Sequence, residues 1–251
     1  MLTEQERERF MRQIVMPGIG EEGQEILKNA KVLVVGSGGL GSPALYYLTV
    51  AGVGEIGIVD TDVVSLSNLN RQILHTEADL QRPKVESAVE KLQKLDASIR
   101  FHPMQVYLDE NNAQEILTGY DLIVDCVDND DTRYLINRWA VRLGIPLVEG
   151  GVRGLEGYIL PILPGKSPCY RCVYPEKTKR ASDPIPVLGG TAGAVGAMEA
   201  VSYTHLPITA TLPPISNSTT PSASRSYGAS PTAPITTSKP MPRKAARRWS
   251  T

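Results

Sequence analysis

The stretch from Lys31 to Gly41, KVLVVGSGGLG, constrains this chain more than any other part of it. The aliphatic run ending at Val35 suits a strand buried on both faces, and it feeds a glycine-rich turn, Gly36-Ser37-Gly38-Gly39-Leu40-Gly41. Helical periodicity follows from Leu40 to Ala51, and Glu55 to Val59 reads as a second strand ending at Asp60. Strand, turn, helix and strand make one βαβ unit, whose crossover places the helix over a parallel sheet. A turn of this kind aims backbone N–H groups and a helix dipole at one point, so Gly36, Gly38, Gly39 and Gly41 are candidates to cradle a phosphate. Asp60 stands at the second strand's end, where a carboxylate accepts hydrogen bonds from ribose hydroxyls. A ligand-free βα turn and a solvated surface aspartate are the plainer readings of the same residues.

Further βα units continue the pattern. Pro83 can occupy the first turn of a helix whose apolar positions Val85, Ala88, Val89, Leu92 and Leu95 share one face. Ile99 to Leu108 reads as a third strand, and Asn111 or Asn112 is placed to cap a short helix. Leu122–Val127, Asp131–Leu143 and Pro146–Glu149 read as strand, helix and strand. Glu4 to Met16 forms a helix stopped by Pro17-Gly18, and alternating residues from Gly150 to Pro164 suggest antiparallel strands. The expected fold is therefore a Rossmann-like, mostly parallel, doubly wound α/β sheet with a short antiparallel extension. Gly189 to Ala200 is rich in Gly and Ala, as a closely packed helix would be. The pattern collapses after Val201, and about three quarters of residues 207–240 are Pro, Ser, Thr or Ala, a composition that favours disorder. Two parts follow: a nucleotide-binding α/β domain over 1–200 and a low-complexity, disordered tail over 201–251.

Charge narrows the partners. Residues 1–199 carry all 27 acidic residues against 20 of the 26 basic ones, a net charge of −7 that argues against nucleic acid. The N-terminal stretch MLTEQERERF is charged where a signal peptide is expected to be apolar, and no apolar run reaches the roughly 18 residues that span a bilayer. Three cysteines, two of them in the CxxC pair Cys169 and Cys172, fit a reducing cytoplasm.

A glycine turn and an acidic strand end would also serve a nicotinamide-dependent dehydrogenase. The loop after the second strand separates the two readings. It reads Ser65-Leu66-Ser67-Asn68-Leu69-Asn70-Arg71-Gln72, with SNLNRQ running from Ser67 to Gln72, and is followed by Arg82-Pro83-Lys84. Arg71 can pair bidentately with phosphate oxygens, and Lys84 brings a compact charge to a helix start. Hydride transfer needs no such cations, whereas adenylyl transfer must stabilise charge on the α-phosphate and departing pyrophosphate. Two solvated surface cations are the alternative. In Asp125-Cys126-Val127-Asp128-Asn129 a carboxylate at a strand end could hold Mg²⁺ against phosphates. Helix capping is the other reading of these residues.

Taken together, the Arg12-Gln13-Ile14 helix, GSGGLG, Val59-Asp60-Thr61-Asp62, the SNLNRQ loop, Pro83-Lys84-Val85-Glu86-Ser87-Ala88, DCVDN and Cys169-Tyr170-Arg171-Cys172 resemble the ThiF/MoeB/HesA family in order and spacing, over about residues 4 to 200. The resemblance implies a homodimeric adenylyltransferase in which ATP meets the C-terminal Gly-Gly of a ubiquitin-like sulfur carrier, giving an acyl-adenylate and pyrophosphate, in thiamine or molybdenum-cofactor biosynthesis. By the same resemblance Gly39 and Asp60 bind the nucleotide, with Gly36, Gly38, Gly41, Asp62 and Asn129 beside them. Asn68, Arg71 and Lys84 would address the phosphates, Asp128 would position Mg²⁺, and Arg12 would reach into the neighbouring subunit. The wider superfamily leaves a second substrate class open: a small-molecule, tRNA-base or peptide carboxylate. Gly150, Gly151, Arg153 and Gly157 could line a groove for the carrier's tail, or be simple turn residues.

The chain departs from the family at its C-terminal side. Cys169 and Cys172 have the spacing of half a tetrahedral Zn²⁺ site. The family pattern supplies a second CxxC, but the one further cysteine here is Cys126 in a strand, so a half-furnished zinc site and an unoccupied cysteine pair are both open. Ala181-Ser182-Asp183-Pro184 occupies the stretch where some relatives carry a reactive cysteine, so adenylation without a covalent enzyme thioester is expected.

Overall fold

A computed structural model describes residues 1–175 and 186–211, with side chains as far as residue 202. The expected absence of a thioester cysteine at 181–184 and the expected tail beyond 211 lie outside the described residues. Six strands form one sheet in the order β3-β2-β1-β4-β5-β6: β1 Lys31–Val35, β2 Glu55–Val59, β3 Arg100–Met104, β4 Leu122–Asp125, β5 Leu147–Arg153 and β6 Glu156–Ile162. All neighbours are parallel except β5 and β6, which pair antiparallel from Leu147↔Ile162 to Arg153↔Glu156. The expected doubly wound sheet and its antiparallel extension are both present.

The sheet is covered on both faces because its central strands carry unbroken aliphatic runs, Val32 to Val35 in β1 and Leu122 to Val124 in β4, that leave neither face polar. Val32 and Val34 of β1 point into one core with Ile56, Ile58, Val124 and Val148. Leu33 and Val35 point into the other with Val59, Ile123 and Leu147. The helices α3 Gly41–Val50, α4 Lys84–Leu95 and α8 Gly189–Thr211 cover the first face, while α5 Ala113–Leu117, α6 Asp130–Leu143 and α7 Tyr170–Val173 cover the second. The remaining helices, α1 Glu4–Ile14 and α2 Gly20–Asn29, precede β1. Among the described residues no helix is long and apolar enough to cross a membrane.

Several elements differ from the expectation for identifiable reasons. Helix α2 has no side-chain cap, because Ile19 precedes it, and buries only Gly23, Gln24 and Leu27, so its apolar periodicity is too weak to announce it. Strand β3 is shorter than 99–108 because it is a largely exposed edge that pairs only with β2. Pro83 is the N-cap of α4 and does not enter its first turn. Asn112 precedes α5 but its side-chain oxygen accepts from the Asp109 N–H, leaving the helix without a side-chain cap. Helix α8 continues past Val201 to Thr211, through Pro207, a residue that ordinarily signals a helix end.

Helix α8 lies close to α3 because Gly196 has no side chain: a methyl there would strike the Leu40 carbonyl and sit 2.6 Å from Pro43 Cγ. Gly193, one turn earlier, has open space around the same position. Gly196→Ala is therefore expected to destabilise the protein by about 1–3 kcal/mol through overpacking. Gly193→Ala is expected to be neutral or stabilising by up to about 1 kcal/mol through helix propensity. Urea unfolding of the two variants measures both, and equal effects would show that α8 does not depend on this contact.

Candidate active site

The strands to either side of the β1–β4 junction run outward in opposite chain order, so the C-terminal ends of β1 and β4 open a crevice at a topological switch point. Gly36 follows β1 with φ +94, and a Cβ there would lie 2.8 Å from the Cys126 carbonyl oxygen that follows β4. Only glycine combines that left-handed backbone with so close an approach. The Gly41 position is closed in the same way by the Gly36 carbonyl, so the turn folds tightly on itself before α3 begins. Among the described residues the Gly38 and Gly39 N–H groups make no hydrogen bond.

Asp60 is half-buried beside this turn and already has structural work. Its Oδ2 accepts from the Ser37 N–H and hydroxyl, both at 2.8 Å, and its Oδ1 accepts from the Asp62 N–H at 2.9 Å. Asp62 in turn pairs its carboxylate with Lys84 Nζ at 2.8 Å. The Lys84 side chain is 5% exposed and Asp62 is 61% exposed, so the cation is held at the site's inner wall by a surface carboxylate.

The SNLNRQ loop lies over the glycine turn. Asn68 closes a 3-10 turn, Leu66–Asn68, by accepting the Ser65 N–H on its side-chain oxygen, and the Asn68 carbonyl accepts from the Arg71 and Gln72 N–H groups. Arg71 Nη1 donates to the Ser67 carbonyl at 2.8 Å and to Asn70 Oδ1 at 3.0 Å. Its Cγ and Cδ pass 3.6 and 3.7 Å from where a Gly39 Cβ would stand, and Gln72 Nε2 passes 3.4 Å from the equivalent point on Gly38. The N-terminus of α8 completes this wall, with Gly189 against the Asn70 carbonyl and Ala192 Cβ against Gly39.

Asp128 is exposed just beyond the end of β4. Asn129 caps α6, its side-chain oxygen accepting from the Thr132 N–H at 2.9 Å. The structure thus brings Gly36, Gly38, Gly39, Gly41, Asp60, Asp62, Asn68, Arg71 and Lys84 into one wall, with Asp128 and Asn129 after the adjacent strand tip. It does not bring Arg12 there. Arg12 is exposed on α1, whose neighbour Gln13 donates to the Ala51 carbonyl at the far end of α3 from the glycine turn. Cys169 and Cys172 stand with their sulfurs 3.4 Å apart, and no group of three metal-ligating side chains occurs among the described residues. Cys126, the remaining cysteine, is buried against Glu199, so the residues at hand do not fit a four-ligand zinc site.

Beneath the crevice floor lies a buried charge cluster of which sequence reasoning singled out only Asp125, and its full burial there takes it away from the exposed position a phosphate-bridging ion would use. Asp125 and Glu149 are register partners on β4 and β5, and Glu199 of α8 faces them; all three are fully buried. Arg133 of α6 answers them, with Nε 2.5 Å from Glu149 Oε1 and Nη2 donating to the carbonyls of Val127 (2.7 Å) and Gly150 (3.0 Å). Burial, and then the charge of Asp125, push both Glu149 and Glu199 well above the ordinary carboxylate range. Asp125 Oδ2 and Glu149 Oε2 have no donor among the described residues, and burial, above all, raises the Asp125 carboxyl as well, so neighbouring acids in this interior favour keeping a proton. Gly150 and Gly157 are packing positions here, closed by the Glu199 and Val195 side chains of α8, and Gly151 is closed by Tyr158. The only sequence signal was a pair of acidic residues at the ends of two apolar strands.

Fold and site together define a doubly wound α/β protein with a glycine turn, an acidic second-strand end and two cations gathered at the switch point. Residues 10–232 match the family described as "ThiF family", and the chain belongs to that family. It is 45% identical over 201 residues to the sulfur carrier protein adenylyltransferase of Thermus thermophilus, covering 78% of this chain and 74% of that protein. It is 43% identical over 203 residues to the adenylyltransferase and sulfurtransferase MOCS3 of Arabidopsis thaliana, covering 79% of this chain. The chain spans 44% of that relative's length. Among solved structures, E. coli MccB with MccA-N7isoASN superposes with a TM-score of 0.72 at 22% identity, covering 80% of this chain and 64% of that one, a likeness of fold.

Because Glu199 binds its proton more tightly when folded, stability is lost as pH rises from the unfolded value of 4.5 toward the raised folded one. Glu199→Gln removes this loss. Relative to wild type, its stability in urea is expected to grow between about pH 5 and pH 8, at up to about 1.4 kcal/mol per pH unit. A pH-independent difference would show that Glu199 is ionised in the fold.

Proposed function

We propose that this chain transfers the adenylyl group of ATP to the C-terminal glycine carboxylate of a ubiquitin-like sulfur carrier, releasing pyrophosphate, in thiamine or molybdenum-cofactor biosynthesis in the cytoplasm. The names of the relatives support the substrate class. The observation that carries the reading is the wall built by Arg71, Lys84 and the unbonded Gly38 and Gly39 N–H groups at the switch point. Such donors match the charge that develops on phosphate oxygens during adenylyl transfer.

The attacking carboxylate of a chain terminus, with a usual pKa near 3.5, is ionised at neutral pH, so the step needs no general base. The protein's task is to position and to stabilise charge. Asp60 keeps one acceptor position, on Oδ1, for a ribose hydroxyl while its Oδ2 holds the Ser37 N–H and hydroxyl. Arg71, with Nη1 committed to Ser67 and Asn70, is pre-oriented to offer its other donors to phosphate oxygens. Lys84 would exchange part of its bond to Asp62 for a phosphate. Asp128 offers the exposed hard oxygen donor that Mg²⁺ uses together with substrate phosphates, and the ion would neutralise pyrophosphate charge when bound. Arg12, exposed on α1, is available to a second copy's site in a homodimer.

ATP–pyrophosphate exchange tests this. Exchange dependent on a Gly-Gly-ending carrier is expected, falling about 10²–10³-fold in Arg71→Ala and in Asp128→Ala. Exchange supported by a peptide, a small carboxylate or tRNA, and by no carrier, would transfer the reading to that substrate class.

A further inference from the structure

His75 is buried three residues beyond the SNLNRQ loop, and neither its burial nor its bonding is needed by anything above. Its Nε2 lies 3.3 Å from the Ser37 carbonyl oxygen and its Nδ1 lies 2.9 Å from Ser87 Oγ. A carbonyl oxygen only accepts, so Nε2 carries the ring proton and Nδ1 is left as an acceptor. The Ser87 hydroxyl must therefore donate to Nδ1. Ser87 Oγ in turn accepts from Lys91 Nζ at 2.9 Å, and Lys91 pairs with Asp79 at 2.6 Å. The bonds form one directed chain, Lys91 to Ser87 to His75 to Ser37, in which each donor polarises the next.

Ser37 is the second residue of the glycine turn, and it is pinned from both sides. Its N–H and hydroxyl go to Asp60, and its carbonyl receives His75 and the Ser42 hydroxyl, the latter at 3.3 Å. The Ser37 carbonyl and the Gly38 N–H belong to one planar trans peptide and point in opposite directions. Holding the carbonyl toward His75 therefore turns the Gly38 N–H the other way, where it makes no bond among the described residues.

We propose that His75 is a positioning residue: its neutral, Nε2-protonated ring fixes the Ser37–Gly38 peptide plane so that the Gly38 N–H is presented as a preformed donor to a nucleotide phosphate. The nucleotide part rests on the function proposed above; the peptide orientation does not. Surroundings keep the ring neutral. Burial lowers its affinity for a second proton, the bond to Ser37 opposes this, the nearby Lys84 and Lys91 lower it further, and Asp79 opposes them. A protonated ring would turn an N–H toward Ser87, whose oxygen already accepts from Lys91, and would break the directed chain.

The chain contains three histidines, so long-range proton–nitrogen NMR spectra of the free protein resolve His75 by comparison with His102 and His205 variants. His75 is expected to show the Nε2–H tautomer and to titrate below the ordinary value of 6.5. An Nδ1–H tautomer, or titration at or above that value, overturns the proposal whether or not the protein binds ATP. Calorimetric titration with ATP supplies the second readout. His75→Leu, which loses the donor, is expected to weaken ATP about tenfold, while His75→Gln, which can still donate to Ser37, stays within about threefold of wild type. In exchange assays the loss should fall on the KM for ATP and leave the carrier's KM unchanged. Wild-type-like ATP affinity in folded His75→Leu, or equal losses in both variants, rejects the positioning role. No ATP binding by the wild type would instead remove the function proposed above, with the tautomer still deciding the peptide orientation.

Discussion

The backbone contact between Gly36 and Cys126 is the constraint on which the rest of the site depends. β1 and β4 are adjacent parallel strands whose chains leave the sheet in different directions, and their tips can approach only if one of them lacks a side chain and accepts a positive φ. With Gly36 in that place, the turn doubles back until Gly41 meets the Gly36 carbonyl, and α3 starts with its N-terminus over the crevice. Asp60, Arg71 and α8 are all packed against the turn so formed. A crevice at this point follows from topology, but its donors are set by how tightly the turn is wound.

The site is surrounded by polar contacts that orient one another. Asp60 holds Ser37, Asp62 holds Lys84, Asn68 shapes the loop that carries Arg71, and His75 holds Ser37 from the other side. Each is an example of a polar side chain whose first obligation is to the protein's own backbone or to a neighbouring charge. Such bonds fix donor directions before a ligand arrives, which reduces the reorganisation that charge development would otherwise require. The buried Asp125, Glu149 and Glu199 differ: three acids against Arg133 in a dry interior cannot all ionise, and at least one proton stays in the cluster. Arg133 ties that cluster to the loop bearing Asp128 through the Val127 carbonyl.

Much of this was legible before the structure. The strand cores, the glycine turn and the helices α3, α4 and α6 follow from periodicity and from aliphatic runs, because strands buried on both faces have no room for polar residues. The antiparallel hairpin was legible in the alternation after Gly150, although its first strand joins the preceding Pro146–Glu149 segment as one element. Helix α2 was not, since it buries little and begins without a polar cap. Among the candidate site residues, Arg71 and Asp128 were singled out by motif. The buried polar residues behind the crevice, His75, Arg133, Glu149 and Glu199, were not, because a single polar residue beside an apolar run looks the same whether it faces water or a partner distant in sequence.

The sequence by itself determined the family, the order of the βα units and the chemical types gathered at the strand ends, since these depend on local pattern and on motifs in register. Tertiary structure decided which bonds those residues make. It set Asp60 to bind Ser37, turned the glycines after β5 into packing surfaces for α8, and placed Arg12 at the opposite end of α3 from the glycine turn. The reason is range: hydrophobic period and turn chemistry act over a few residues, whereas a buried hydrogen bond or ion pair exists only once chain segments tens of residues apart have been brought within about 3 Å.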